Sequence, residues 1–120
     1  MKPSPDRANL LHMRDAITRL EKHLEGVTYQ VFLEDWTRQD AILRQLEIMG
    51  KIARNFTEEF RERHVGVPWR LIIGMRHRLA HDYEDIDLPT VWDTVTSDIA
   101  PLKAWVRETL AATQDTRESY

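Results

Sequence analysis

The 120-residue chain has no cysteine, which excludes disulfides, thiolate zinc sites and cysteine nucleophiles together. Glycine and proline are scarce, at four and five residues. Turns are therefore few, and no stretch alternates apolar with polar residues as a half-buried strand does. No apolar run approaches the ~20 residues that a membrane span requires, and Met1–Arg7 lacks the apolar core of a signal peptide. A cytoplasmic protein without membrane association is expected, and the missing cysteine fits a reducing compartment. Positive charge is not in excess either. The formal net charge is −3, so the whole molecule does not attract nucleic acid by bulk electrostatics, and any RNA contact needs a local basic patch.

What is present is helical periodicity. Leu10, Met13, Ile17, Leu20 and Leu24 recur at spacings of three and four, after Ser4 or Asp6 as a cap and before a stop near Gly26. Thr28 can cap a short turn carrying Val31, Phe32 and Trp36. A long helix from about Thr37 to Phe60 follows, with Ile42, Leu46, Met49, Ala53 and Phe56 facing inward. Gly50 lies inside it at a cost of ~1 kcal/mol against alanine, which close approach of another helix would justify. Thr57-Glu58-Glu59 marks a break before a short helix to His64, and Pro68 suits the first turn of a helix from Trp69 to about His81. Asp87-Leu88-Pro89 opens the last helix, whose stripe runs through Val91, Trp92, Val95, Ile99, Leu102, Val106 and Leu110. Pro101 should kink or split that helix, and residues 112–120 form a polar tail. The sum is one all-α domain over 1–120, an antiparallel four- to five-helix bundle. Four tryptophans and wide apolar stripes exceed what a lone small bundle needs, so a homodimer is expected.

One stretch differs in kind. Gly74 to Tyr83 holds two imidazoles, two guanidiniums, a carboxylate and a phenol between an apolar run and an acidic one. On a regular helix Arg76 and His81 stand about 140° apart around the axis, whereas Arg76 and Tyr83 nearly share a face. For Arg76 and His81 to meet one phosphate, the helix must end or loosen between them, or the sites of two protomers must meet. The residue types suit RNA cleavage without metal. An imidazole can take the ribose 2′-hydroxyl proton or give one to the leaving 5′-oxygen. A guanidinium stabilises charge building on the phosphate, and Arg78 and His77 can add contacts. His77 and His81, at i and i+4, are also half of a zinc site that Asp82 or Asp85 could extend. The glutamate of the metalloprotease motif is absent from between them, and no metal is assigned. Asp40 and Glu47 share one face of the long helix, where they are either solvated or orient the arginine and histidine. His12, His23 and His64 read as surface residues, and the tryptophans as core or interface anchors.

Arg76-His77-Arg78-Leu79-Ala80-His81 resembles the motif of the HEPN superfamily, an arginine followed by four to six residues and a histidine. Tyr83, two places on, is similar to the extra tyrosine of the HepT-like branch, toxins paired with a minimal nucleotidyltransferase antitoxin (MntA). The likeness runs from about Arg7 to Leu110 and includes Gln39–Gly50, Pro68–Arg76 and Asp87–Val95. It implies a dimeric helical bundle with the two motifs along a shared cleft. It further implies metal-independent cleavage of RNA to a 2′,3′-cyclic phosphate without a cofactor, and silencing by AMP transfer onto the tyrosine. Carried over by position, Arg76 and His81 are catalytic and Tyr83 is the modified residue. His77, Arg78, Glu47 and Asp40 support them. The chain departs from the pattern at His77, often an asparagine, and at Lys51, where an acidic residue commonly follows the glycine. Two rival readings remain at this stage: a non-catalytic helical subunit that docks a nucleotidyltransferase and uses Arg76 and His81 to bind nucleotide phosphates, and a zinc-binding helical protein.

Overall fold

The computed structural model describes residues 5–75, 80–82 and 85–118, of which 80–82, 85 and 113–118 are described by backbone alone. The architecture is an all-α bundle, as the periodicity requires. Helix α1 (Pro5–Leu24) buries Leu10, Met13, Ile17 and Leu20 and stops where Gly26 turns to a φ of +65°. Thr28 caps α2 (Tyr29–Glu34), its hydroxyl accepting from the Val31 amide at 3.2 Å, and Phe32 is driven into the core. Asp35 then caps the long helix α3 (Trp36–Asn55), which turns Ile42, Leu46, Met49 and Ala53 inward.

Two bonds far apart in sequence show that α1 and α3 are antiparallel: Asn9 donates to the Asn55 carbonyl at 3.0 Å, and Arg38 donates to the His23 carbonyl at 2.6 Å. The break after α3 lies where the sequence places it. Phe56 is extended, and Thr57 caps α4 (Glu58–Arg63) by accepting from the Phe60 amide. Asp6 has a different part from the capping role expected of it. It is buried, and its carboxylate accepts from the Thr57 amide at 2.8 Å and the Thr57 hydroxyl at 2.7 Å, tying the start of α1 to the α3–α4 corner. Ser4 lies outside the described residues.

Helix α5 (Trp69–Ile73) is shorter than the expected helix to His81. It stops at Gly74, whose amide donates to the Arg70 carbonyl at 3.0 Å, and by Ala80 the chain is extended. Strands β1 (Ala80–Asp82) and β2 (Asp85–Ile86) form a small antiparallel ribbon, pairing Ala80 with Ile86 and Asp82 with Asp85. Nothing in the pattern announces it, because two strands this short give alternation no room to register.

Asp87 caps α6 (Leu88–Asp93) by accepting from the Thr90 amide at 3.1 Å, with Pro89 in the first turn. A π-helical turn (Thr94–Asp98) leads into α7 (Ile99–Glu118). The expected split thus falls just ahead of Pro101, and the chain stays helical through it. Pro101 has no amide to offer the carbonyl one turn back, and the hydroxyls of Thr94 and Thr96 donate to the carbonyls of Thr90 and Trp92. Both features favour a wider turn at that place. The segment read as a polar tail continues as helix to Glu118. Lys103 reaches Glu21 at 2.8 Å, fixing α7 against α1.

Candidate catalytic site

The approach of α5 to α3 sets where the polar stretch begins. A Cβ built on Gly50 would stand 3.2 Å from the Ile72 carbonyl oxygen and 3.4 Å from that of Ile73. The glycine inside α3 is there because another helix's backbone lies against it, as its position in the sequence suggested. At the other end of α5, the Trp69 ring lies 5.1 Å from Phe56. Helix α5 therefore runs backwards along α3, from Phe56 towards Gly50, and the next turn of α3 in that direction carries Glu47. Met75 is buried just past the Gly74 turn, which fixes the chain at the point where Arg76 follows.

Arg76, His77, Arg78 and Tyr83 lie outside the described residues. His81 is in β1, where its backbone alone is described. The regular helix on which Arg76 and His81 would stand on different sides is therefore not continuous between them. Glu47 is half-buried and pairs with Arg44 at 3.6 Å and Lys51 at 3.5 Å. Asp40, two turns earlier on the same face, is exposed and makes no ion pair with the described residues. Asp82 and Asp85 are partners in the ribbon, and among the described residues no three His, Asp or Glu side chains converge as a metal site would need.

His64 departs from its reading as a surface residue. Its ring packs 4.3 Å from Phe60 and 5.4 Å from Trp105, in a cluster with Phe56 and Trp69. Burial, with Arg63 beside it, holds the imidazole below its ordinary pKa against the opposing pull of the Asp6 carboxylate. The signal was Phe60, four residues before His64 on the same helix face. On one side of α5 an apolar cleft of about 650 Å³ opens between Val65, Leu71 and Met75 on one wall and Ile99, Leu102 and Trp105 on the other. None of the described helices is long and apolar enough to cross a membrane.

The model of a family described as ribonuclease HepT-like matches residues 13–109. The chain is 35% identical over 104 residues to a protein of Caldanaerobacter subterraneus subsp. tengcongensis named as a candidate RNase, covering 87% of this chain and 93% of that one. It is 36% identical over 89 residues to a protein of Thermococcus cleftensis named as a candidate ribonuclease HepT, covering 74% and 81%. A candidate RNase of Methanocaldococcus jannaschii is 33% identical over 93 residues, covering 78% and 77%. No solved structure matches the chain.

Proposed function

The chain belongs to the HepT-like ribonuclease family, and from that premise we propose that it is a metal-independent endoribonuclease, the toxin of a type VII toxin–antitoxin pair. Arg76 and His81 are its catalytic residues. The ribose 2′-oxygen attacks the adjacent phosphorus, the bond from phosphorus to the 5′-oxygen breaks, and a 2′,3′-cyclic phosphate remains. His81 takes the 2′-hydroxyl proton or gives one to the leaving 5′-oxygen, the other proton being exchanged with water, and Arg76 neutralises the charge that builds on the phosphate. His77 and Arg78 add phosphate contacts. Glu47 orients this group from the next turn of α3, with Asp40 further along the same face.

The observation that carries the reading is the end of α5. Pinned at Gly50, the helix stops at Gly74 and the chain is extended by Ala80. This supports the reading, because the angle of about 140° between Arg76 and His81 holds only on a continuous regular helix. Tyr83 is the control point: a minimal nucleotidyltransferase antitoxin transfers AMP from ATP onto its hydroxyl with release of pyrophosphate, and the added anion blocks RNA by bulk and charge. Two copies pair so that their motifs share a cleft, a reading supported by exposed Val65 and Leu71 at the rim of the apolar cleft. The protein works in the cytoplasm, where its RNA substrate is.

The test is cleavage of RNA by purified protein in excess EDTA, with the new ends analysed for cyclic phosphate. Arg76→Ala and His81→Ala should abolish cleavage and growth arrest while the helical circular dichroism stays that of the parent. Full toxicity in both variants would overturn the assignment. Tyr83→Phe should stay toxic and escape modification, and mass spectrometry finding AMP on another residue would count against the assigned tyrosine.

A further inference from the structure

A second hollow at α5 adjoins the apolar cleft, sharing Val65, Pro68 and Leu71 with it, and adds charged side chains to its wall. There a shallow, open basin of about 870 Å³ brings together Arg54 from α3, Arg61 from α4 and Arg70 from α5, with Glu58 and Glu62 also on its wall and Gly74 at its edge. Three guanidiniums against two carboxylates make this patch positive on a chain whose net charge is −3. None of the three arginines makes an ion pair among the described residues. The Arg61 Nε is buried without a hydrogen-bond partner, and a buried guanidinium nitrogen left unpaired is costly unless an acceptor arrives. Three arginines from three helices, lining one hollow and without an ion pair among the described residues, are a donor set for phosphate oxygens. Position adds to chemistry. Gly74 borders the basin and Arg76 follows two residues later, a reach of at most about 7 Å of chain.

Resting on the ribonuclease reading above, we propose that this basin is a phosphate subsite that grips the RNA strand beside the reacting phosphodiester. Arg54, Arg61 and Arg70 each hold backbone oxygens without reading a base, so they set affinity and the placing of the strand rather than sequence. A single-stranded substrate gripped this way releases counterions, and its affinity falls with salt by a logarithmic slope of about 0.7 for each phosphate contact.

The probe is a 2′-O-methyl RNA oligonucleotide, which lacks the attacking hydroxyl and so stays intact while its binding is followed by fluorescence anisotropy across a salt series. In the double variant Arg54→Gln/Arg70→Gln the slope should shrink by about 1.4 relative to the parent, in line with two lost contacts. Affinity should fall by roughly tenfold, and with cleavable RNA the loss in kcat/KM should come through KM. Glu62→Gln removes a repelling carboxylate and should tighten binding, a change of opposite sign that misfolding cannot imitate. If the double variant proves unfolded, tightening by Glu62→Gln supports the subsite and no change in it overturns the subsite. Unchanged slope and KM in a folded double variant, with the parent still cutting RNA, overturn the basin and leave the ribonuclease reading standing. A parent that neither binds nor cuts RNA overturns the ribonuclease reading itself.

Discussion

A Cβ at Gly50 would come within 3.2 Å of a backbone oxygen that has no rotamer by which to withdraw. Alanine there gains ~1 kcal/mol of helix propensity and spends it on that contact, so Gly50→Ala should leave stability near the parent's. Valine adds two more carbons on the same side, and overpacking of this kind costs about 1–3 kcal/mol. Gly50→Val should therefore lower the urea midpoint and, by pushing α5 off α3, reduce RNA cleavage further than the lost stability explains. Loss of stability with cleavage per folded molecule intact would show that the approach of α5 does not position the site. His64 gives a second residue-scale prediction. Its folded pKa lies below the ordinary value of 6.5 because burial and Arg63 disfavour the charged form. As pH falls through that ordinary value the unfolded chain takes up the proton first, so stability drops on acidification until the folded protein is protonated too. His64→Phe should flatten this part of the profile, and identical thermal midpoints against pH in parent and variant from pH 7.5 to 5.5 would refute it.

At the scale of elements, what the sequence made legible was whatever is decided locally. Thr28, Thr57 and Asp87 cap the helices they precede, and the stripes of α1 and α3 are the ones that are buried. What it concealed is decided by contact between distant parts. Helix α5 covers only Trp69–Ile73 although the periodicity allowed a helix to His81, and from Ala80 the chain runs in a ribbon of strands too short to alternate. The π turn precedes Pro101 because proline disturbs the turn before itself. The Arg76–His81 relation was legible as a problem, since helix geometry denied them one face; His81 lies in the extended β1, and Arg76 lies outside the described residues. Asp6 shows the same limit, being a plausible cap in sequence yet bonded across 51 residues to Thr57. Hydrogen bonds to a charged group are worth about 1.5–3 kcal/mol, and Asp6→Ala also strands the Thr57 amide. That variant should lose about 2–3 kcal/mol in urea unfolding, with the loss largely shared by Thr57→Val, so that the double variant is far from additive. Additive losses would mean that the two side chains do not act as one tie.

For the molecule as a whole, shape and apolar exposure bear on assembly. The bundle measures 52 × 28 × 23 Å, an elongated body. Val65 is 82% exposed and Leu71 51% exposed beside the cleft that reaches Met75. Leu71, like Val65 and Pro68, lines both the apolar cleft and the arginine basin, so α5 carries an apolar hollow and an arginine-lined one that adjoin at its edge. The division suits a dimer in which the apolar face meets its symmetry mate and the basic face stays open to RNA. Light scattering at micromolar concentration should then give twice the 14.2 kDa chain mass. Leu71→Glu would set two carboxylates into that contact. A central apolar anchor lost from an interface costs about 2 kcal/mol or more, roughly 30-fold in dimer affinity. The variant should shift towards monomer and lose cleavage in proportion, with both recovering as concentration rises. A parent that runs as a monomer would leave each Arg76–His81 pair to act alone, and a dimeric Leu71→Glu would move the interface to another face, with exposed Trp36 the next to examine.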